Sequence, residues 1–222
     1  MANKIDDGFS SELVETAFFD GVLEIPKIER PDKIVIPDGM VPFSRRNDPA
    51  ALGKFVCFYE YDRRFAQCLH APKEFCGDLK RFKGIITPDC SLYIDMPLVT
   101  QIFNVYKSRA IGSFFQSQGI YVIPNVRWGD ERTYTTEALP EKVAFLGLPK
   151  HSILSVGTYG CVQSKEAKFY FREGMCAMLE ELEPEVVLVY GSMSRYIFEG
   201  LEKRTKFFKY LDWISYKKAG GR

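Results

Sequence analysis

Two polar segments of the sequence, residues 87–97 and residues 123–132, carry residue types that could do chemistry. Each segment directly follows a short apolar run. Packing alone rarely requires acids, an amide, an arginine and a tryptophan at such positions, whereas ligands of α/β proteins bind at the ends of strands. We therefore predict one polar site, to which these segments contribute Asp89, Asp95, Asn125, Arg127, Trp128, Asp130 and Arg132.

Asp89 and Asp130 are the candidates for acid–base or metal chemistry. Two carboxylates at one site could hold a divalent metal ion, activate a water molecule or divide the roles of acid and base. Because the sequence has only two histidines, carboxylates are the most available ligands, and they favour Mg²⁺ or Mn²⁺ over zinc. With Arg127 as the third catalytic residue, stabilising the transition state, the prediction is a metal-dependent phosphoester hydrolase.

Each of these residues also has a structural interpretation. Acids at such positions often cap helices or form Asx turns. An arginine such as Arg127 or Arg132 could clamp a phosphate or carboxylate, or it could make a surface ion pair. The sequence leaves both interpretations open.

Two turns after later strands add further candidates. Gly160 and Cys161 stand before a predicted helix, where free backbone N–H groups and the helix dipole favour an anion or a lowered thiol pKa. Neither histidine is placed to act as a base for the thiol, so a buried, inert cysteine is the alternative. Residues 190–192 present a hydroxyl and backbone donors but lack the glycine pattern of a dinucleotide or P-loop site. The ligand-binding residues predicted from these turns are Tyr159, Gly160, Cys161, Tyr190 and Ser192.

Charge and aromatic content indicate the ligand class. Acids and arginines at one site favour a small phosphate-bearing ligand. Trp128 could stack on a base or a sugar, and residues 203–210 mix cations with aromatics as single-stranded nucleic-acid surfaces do. For residues 203–210 the alternative is a solvated helix face whose aromatic side chains turn inward.

The elements that must position these residues alternate between strand-length apolar runs and longer helical patterns. This alternation predicts an α/β fold with a mainly parallel central sheet, open or partly closed, with an incomplete TIM-like barrel as the alternative. The predicted helices run over residues 97–118 and 164–182, with a shorter one from Ser194 to Leu201. The predicted strands are residues 55–59, 84–87, 120–124, 152–157 and 185–190.

The first fifty or so residues differ from the rest because they are irregular and interrupted by prolines. We expect residues 1–53 to form a wrapping arm, with a short helix at 11–19 and a strand at 33–37. Residues 54–222 are expected to form one globular α/β unit, ending in a disordered basic tail over 217–222.

Composition excludes several classes of protein. The chain has 222 residues, of which 46% are hydrophobic, so it can bury a full core. Thirty basic and twenty-nine acidic residues give a net charge of +1, without the excess of a dedicated duplex-DNA binder. Six cysteines without an export signal or membrane-length segment predict free thiols, a cytoplasmic location and no membrane partner. A zinc site would have to use Cys68, His70 and Cys76.

Four motifs carry a resemblance to a known family: TPDxSxYxDMP, NxYKxRAxG, IPNxRWGDERTY and VGTYGC. Over about residues 80–200 the sequence resembles a family found in phages, plasmids and bacterial chromosomes, catalogued as domain of unknown function four-four-one-seven. The resemblance implies a mobile-element context and no mechanism. Its signature positions are Asp89, Tyr93, Asp95, Asn104, Arg109, Asn125, Arg127, Trp128 and Asp130.

Two classes of function follow from the sequence. The first is a hydrolase, or a pocket that sequesters a phosphate-bearing ligand, nucleotide or nucleic acid. The second is a non-catalytic interaction module that binds a host protein or a replication complex. A closed polar cleft would favour the first, and an exposed apolar patch would favour the second.

Overall fold

A computed structural model describes residues 10–220, apart from the side chain of Leu69. The first nine residues of the predicted arm and the last two of the predicted tail lie outside the described residues. None of the helices in the described part combines the length and the apolarity needed to cross a membrane.

The described residues form an antiparallel pair of strands and two parallel sheets. The pair consists of β1 (Phe19–Asp20) and β2 (Ile25–Pro26). The first parallel sheet has the order β3 (Met40–Pro42), β4 (Phe55–Cys57), β5 (Gly84–Ile86) and β6 (Val122–Ile123). The second has the order β7 (Ile153–Gly157), β8 (Val186–Tyr190) and β9 (Lys206–Tyr210).

Helices connect most of these strands, as parallel pairing requires. Within the described residues they are α1 (Gln67–His70), α2 (Pro72–Leu79), α3 (Leu98–Ser117), α4 (Glu131–Tyr134), α5 (Lys165–Leu182), α6 (Arg195–Phe198) and α7 (Trp213–Lys218). The two long helices match the sequence patterns closely. Gly119, with a φ of 78°, follows the end of α3, and the Ser164 hydroxyl accepts the Ala167 N–H at the start of α5.

A short bridge joins the two parallel sheets. The Val126 N–H donates to the Ser155 carbonyl (2.8 Å), and the Ser155 N–H donates to the Pro124 carbonyl (2.9 Å). Seven parallel strands, β3 to β9, therefore follow one another in chain order across the described residues. Apolar side chains from both sheets meet in one inner cluster that includes Phe55, Ile123 and Leu188. The prediction of a mainly parallel α/β fold is confirmed.

The arrangement is curved but is not a closed barrel. In the part of the chain that the structure describes, no strand pairing joins β9 back to β3. The two edges are linked instead by the Tyr210 hydroxyl, which donates to the Pro37 carbonyl (2.6 Å). Outside the sheets, α1 to α3 cover one apolar cluster and α5 covers another.

The N-terminal region departs from the sequence prediction. The strand predicted at residues 33–37 is wrong: its Val35 N–H and Lys33 carbonyl bond the hydroxyl of Tyr121 rather than a neighbouring strand. The strand in this region is β3, which pairs with β4, so part of the predicted arm belongs to the sheet. The helix predicted at residues 11–19 is also wrong. It is a 3₁₀ turn, Ser11–Leu13, followed by a hairpin that reverses at Gly21.

Two other elements differ near the C-terminus. The helix predicted from Ser194 to Leu201 ends at Phe198, because the chain turns at Gly200, with a φ of 83°. Residues 203–210 are largely strand β9 rather than a helix face. In β9 the partly buried Phe207 packs on the apolar cluster that α5 covers, while Phe208 and Lys209 are exposed.

Candidate functional site

The polar residues at the strand ends form a hydrogen-bonded chain that begins at Tyr59. The Tyr59 hydroxyl donates to Asn125 Oδ1 (3.0 Å) and lies 2.6 Å from Ser155 Oγ. Its ring stacks on Tyr190, with centroids 4.6 Å apart. Burial, and then the nearby Asp89 carboxylate, raise the pKa of Tyr59 well above its ordinary value. These residues close the inner core at the C-terminal edge of the strands.

Asp89 continues this chain and is held by two donors. Asn125 Nδ2 donates to Asp89 Oδ1 (2.9 Å), and Arg127 Nη1 lies 3.3 Å from Asp89 Oδ2. The side chains of Asp89 and Arg127 are each only 15% exposed. Burial raises the pKa of Asp89, and this effect outweighs the opposing effects of Arg127 and Asn125. The structure therefore brings Asp89, Asn125 and Arg127 together, as a buried ion pair with an amide.

Cys161 contacts the same arginine. Its thiol accepts a hydrogen bond from Arg127 Nη1, and Arg127 Nη2 also donates to the Leu92 carbonyl (3.4 Å). Burial raises the pKa of the Cys161 thiol despite the neighbouring guanidinium. Burial lowers the pKa of Arg127, but Asp89 and then Cys161 more than compensate, so the net shift is upward. A thiol with a raised pKa is a weak nucleophile at neutral pH, which favours the inert interpretation of Cys161.

Asp130 has a different set of partners. Its carboxylate accepts the Arg132 N–H at the start of α4, two bonds from the Arg132 guanidinium (2.8 and 2.7 Å) and one from Gln101 Nε2 (3.3 Å). Burial alone would raise the pKa of Asp130, but the hydrogen bonds from Arg132 and Gln101 lower it overall. Arg132 also donates to the carbonyls of Ile94 and Met96. Asp130 and Arg132 thus cap a helix and hold the 91–97 loop.

The predicted metal site is not assembled by these contacts. Asp89 and Asp130 each have their own arginine and amide. Among the described residues there is no group of three or more histidine, cysteine, aspartate or glutamate side chains placed to hold a metal ion. The Mg²⁺ or Mn²⁺ ion at Asp89 and Asp130 therefore stays a prediction.

Trp128 and Tyr190 are core residues. Trp128 is buried, donates its indole N–H to the Tyr170 carbonyl (3.1 Å) and packs on Phe171 and Gly174. A Cβ at Gly174 would collide with the indole ring. Tyr190 is covered by Tyr59, as described above, and its hydroxyl accepts the Trp213 N–H (2.8 Å). Neither ring presents a free face for stacking on a ligand. Asp95, in contrast, is exposed.

A pocket of about 380 Å³ lies beside this hydrogen-bonded chain, at the C-terminal ends of β7, β8 and β9. Three of the predicted ligand-binding residues, Tyr159, Gly160 and Ser192, line it. The lining also includes Lys209, from the 203–210 segment that the sequence suggested as a nucleic-acid surface. The lining residues that the sequence analysis missed are Thr158, Val162, Gln163, Lys168, Met193, Ser194 and Asp212. Asp89, Arg127 and Asp130 do not line it.

The backbone of the pocket is firmly placed. The Thr158 hydroxyl donates to the Ser192 carbonyl (2.8 Å), and the Thr158 N–H donates to the Tyr190 carbonyl (3.0 Å). Gly191, with a φ of 116°, lets the turn after β8 approach this loop: an added Cβ would lie 2.6 Å from Thr158 Oγ1 and 2.9 Å from the Tyr159 nitrogen. A side chain at residue 191 would therefore push the two walls apart.

Both cations of the pocket lack protein partners. Neither the Lys168 nor the Lys209 ammonium group makes a hydrogen bond or ion pair with the described residues. The one acidic side chain of the lining, Asp212, accepts the N–H groups of Ile214 and Ser215 and the Ser215 hydroxyl. Burial would raise the pKa of Asp212, but the hydrogen bonds from Ser215 and Ile214 lower it overall. The pocket thus offers two unneutralised ammonium groups and one carboxylate that already caps α7.

Comparison with known proteins gives the family. A model of the family described as "Domain of unknown function (DUF4417)" matches residues 17–211. The chain belongs to this family. The resemblance predicted from the four motifs is thereby confirmed. No solved structure matches the chain.

The curated relatives of this DUF4417 protein include two phage proteins, each named Gene 1 protein. That of Mycobacterium phage L5 is 30% identical over 171 residues, which cover 77% of this chain and 72% of the relative. That of Mycobacterium phage D29 is 30% identical over 148 residues, which cover 67% of this chain and 52% of the relative. The chain thus spans about half the length of the D29 relative. The phage context predicted from the resemblance is confirmed, whereas occurrence in plasmids stays a prediction.

Two signature positions of the DUF4417 motifs hold loops rather than a ligand. Arg109 is buried in α3 and donates to the carbonyls of Asn125 (2.9 Å), Ala144 (2.9 Å) and Leu146 (3.1 Å). Burial lowers the pKa of Arg109 to about 9. Asn104 donates through Nδ2 to the Ser91 carbonyl. In the sequence both residues stood out only as signature positions of the motif NxYKxRAxG.

Proposed function

We propose that this DUF4417 protein binds a small phosphate-bearing molecule in the pocket at the ends of β7, β8 and β9. The observation that supports the proposal is the pair of unpartnered cations, Lys168 and Lys209, on the lining of one pocket. A volume of about 380 Å³ falls within the range of small-molecule sites. The location also agrees with the general rule that ligands of α/β proteins bind at the carboxyl ends of parallel strands.

The remaining groups of the pocket suit an anion. Ser192 and Ser194 bring hydroxyl groups, and the pocket extends to the start of α5. Backbone N–H groups and the helix dipole favour negative charge at that end of an 18-residue helix. The Asp212 carboxylate already accepts three hydrogen bonds from α7, so it does not depend on Lys168 or Lys209 as a partner. The charged groups of the pocket that have no protein partner in the described residues are therefore the two lysines, which are positive.

Phosphoester hydrolysis by Asp89, Asp130 and Arg127 has weaker support than binding. Each of the two carboxylates is occupied by its own partners, and none of the three residues lines the pocket. Their contacts fit a structural role, because Arg127 joins Asp89 to Cys161 outside the pocket lining. Incubation with pooled nucleotides and Mg²⁺ or Mn²⁺, read by mass spectrometry, tests for turnover that is lost in EDTA.

Calorimetric titration with ribose 5-phosphate tests the proposed binding. We expect the phosphate ester to bind measurably and free ribose not to bind, because the lysines recognise the phosphate. Lys209→Ala should weaken binding about tenfold, the equivalent of about 1.4 kcal/mol. Lys206→Ala is the matched control, since Lys206 is exposed on the same strand and lies outside the pocket lining. Equal affinity of the two variants, or no binding by the native chain, would contradict the proposal.

A second candidate function has one observation in its favour. The β1–β2 hairpin carries exposed apolar side chains: Phe18 is 73% exposed and Val22 is 74% exposed. Exposed apolar clusters can mark sites of protein contact, so the hairpin suits an interaction module that binds a host protein. A host protein that co-purifies with the native chain and the Lys209→Ala variant, but not with the Phe18→Ser, Val22→Ser variant, would support this function.

A further inference from the structure

Tyr159 is the one aromatic side chain on the described lining of the pocket, and it is half exposed, at 50%. Its backbone is held on both sides, because Thr158 bonds the turn after β8 and the Tyr159 carbonyl accepts a hydrogen bond from the Cys161 thiol (3.2 Å). Its ring and hydroxyl, in contrast, have no stacking or hydrogen-bond partner among the described residues. A half-exposed aromatic side chain without a protein partner in the described residues therefore lies on the pocket lining.

The surroundings of this ring are divided into an apolar part and a polar part. Val162 and Met193 are the aliphatic side chains of the lining. Gln163 brings an amide that makes no hydrogen bond within the described residues. An aromatic face, a small apolar surface and a free amide are the groups that recognise a nucleobase, whose π-face stacks and whose edge donates and accepts hydrogen bonds.

We infer that the phosphate-bearing ligand is a mononucleotide, with its base stacked on Tyr159 and its phosphate held by Lys168 and Lys209. This inference rests on the proposed function and specifies its ligand class. The volume of about 380 Å³ accommodates one nucleotide. A sugar phosphate would leave the tyrosine ring and the Gln163 amide unused, and a free nucleoside would leave both lysines unused.

Titration of the full-length chain with AMP, ribose 5-phosphate and adenosine tests the assignment. We expect AMP to bind about tenfold more tightly than ribose 5-phosphate, because stacking on an aromatic side chain contributes a factor of about that order. Tyr159→Ala should remove this preference and leave the affinity for ribose 5-phosphate within about twofold. Tyr159→Phe should keep the preference, because it retains the ring. Tyr196→Ala, which removes a tyrosine of similar exposure outside the lining, is the control.

The outcomes separate this inference from the proposed function. Equal binding of AMP and ribose 5-phosphate, unaffected by Tyr159→Ala, would overturn the nucleotide assignment and leave the phosphate pocket intact. An adenine oligonucleotide that binds about tenfold more tightly than AMP would also overturn it, since the site would then be part of a strand-binding groove. Failure of both phosphate compounds to bind would overturn the proposed function itself.

Discussion

Two polar regions lie at the C-terminal edge of the strands: the Asp89–Arg127 region and the pocket beside it. They differ in whether their charged side chains have protein partners. In the first region Asp89 and Arg127 are mostly buried and bind each other. In the pocket beside it, Lys168 and Lys209 have no partner within the described residues. Removing one partner of a buried ion pair destabilises the fold, because the other charge then stays buried without a partner. A cation without a partner is available to a ligand. The comparison therefore assigns structure to the first region and binding to the second.

The largest expected effect on stability comes from breaking the Asp89–Arg127 ion pair. Asp89→Ala would leave the Arg127 guanidinium without its carboxylate, and we expect the free energy of unfolding to fall by about 3 kcal/mol. Asp95→Ala is the control, because Asp95 is exposed and should change stability by less than about 0.5 kcal/mol. Urea unfolding of both variants measures the difference. Equal stability would mean that the Asp89–Arg127 pair does not hold the strand ends.

A smaller effect is expected where Trp128 packs on α5. Gly174→Ala should destabilise the protein by about 1–3 kcal/mol, because the added methyl group would meet the indole ring. Gly77→Ala, in α2, is the matched control: nothing lies within 4 Å of an added Cβ there, and alanine should stabilise a helix by up to about 1 kcal/mol. Thermal unfolding of the two variants tests whether Trp128 packs tightly against α5 as a core residue. Stabilisation by Gly174→Ala would indicate that the ring has room to move.

The smallest effect on stability is expected from Asp130, and it depends on pH. The pKa of Asp130 in the folded protein is below its ordinary value of 3.8. Its ionised form therefore contributes stability that is present above about pH 3.8 and is lost as the pH falls through the folded-state pKa. Asp130→Asn, which preserves an N-cap, should lower the free energy of unfolding by about 1 kcal/mol at pH 7. That difference should shrink toward pH 3. Urea unfolding at both pH values measures it, and a constant difference would contradict the assignment.

Periodicity and capping made much of the fold predictable. Ser164 and Gly119 marked the start of α5 and the end of α3. Apolar runs such as Val186–Tyr190 became buried parallel strands. Residues 33–37 misled the prediction because their apolar side chains are partly buried against the core, yet their backbone bonds the Tyr121 side chain. A segment that is partly buried but not paired with a strand can have the same sequence pattern as a strand.

The sequence indicated where the pocket lies, but it did not indicate which charged side chains have partners. The sequence indicated the strand ends and included Tyr159, Gly160 and Ser192, which line the pocket. It could not show that Arg127 is already paired or that Lys168 and Lys209 are not, because pairing depends on which loops meet in space. Lys168 lies on an amphipathic helix and Lys209 on an edge strand, where lysine is common as a solvated residue. A solvated lysine and a ligand-binding lysine can therefore have the same position in a sequence pattern, and the sequence alone does not distinguish them.

Ribose 5-phosphate binding to two variants, measured by calorimetry, tests the central comparison most directly. We expect the Lys168→Ala, Lys209→Ala double variant to weaken binding at least about tenfold, while Asp89→Asn stays within about twofold of the native chain. Lys165→Ala, Lys206→Ala, which removes two exposed lysines from the same helix and strand, should leave the affinity unchanged. Loss of binding in Asp89→Asn, with full affinity in the pocket variant, would place the ligand at the Asp89–Arg127 pair and contradict the account.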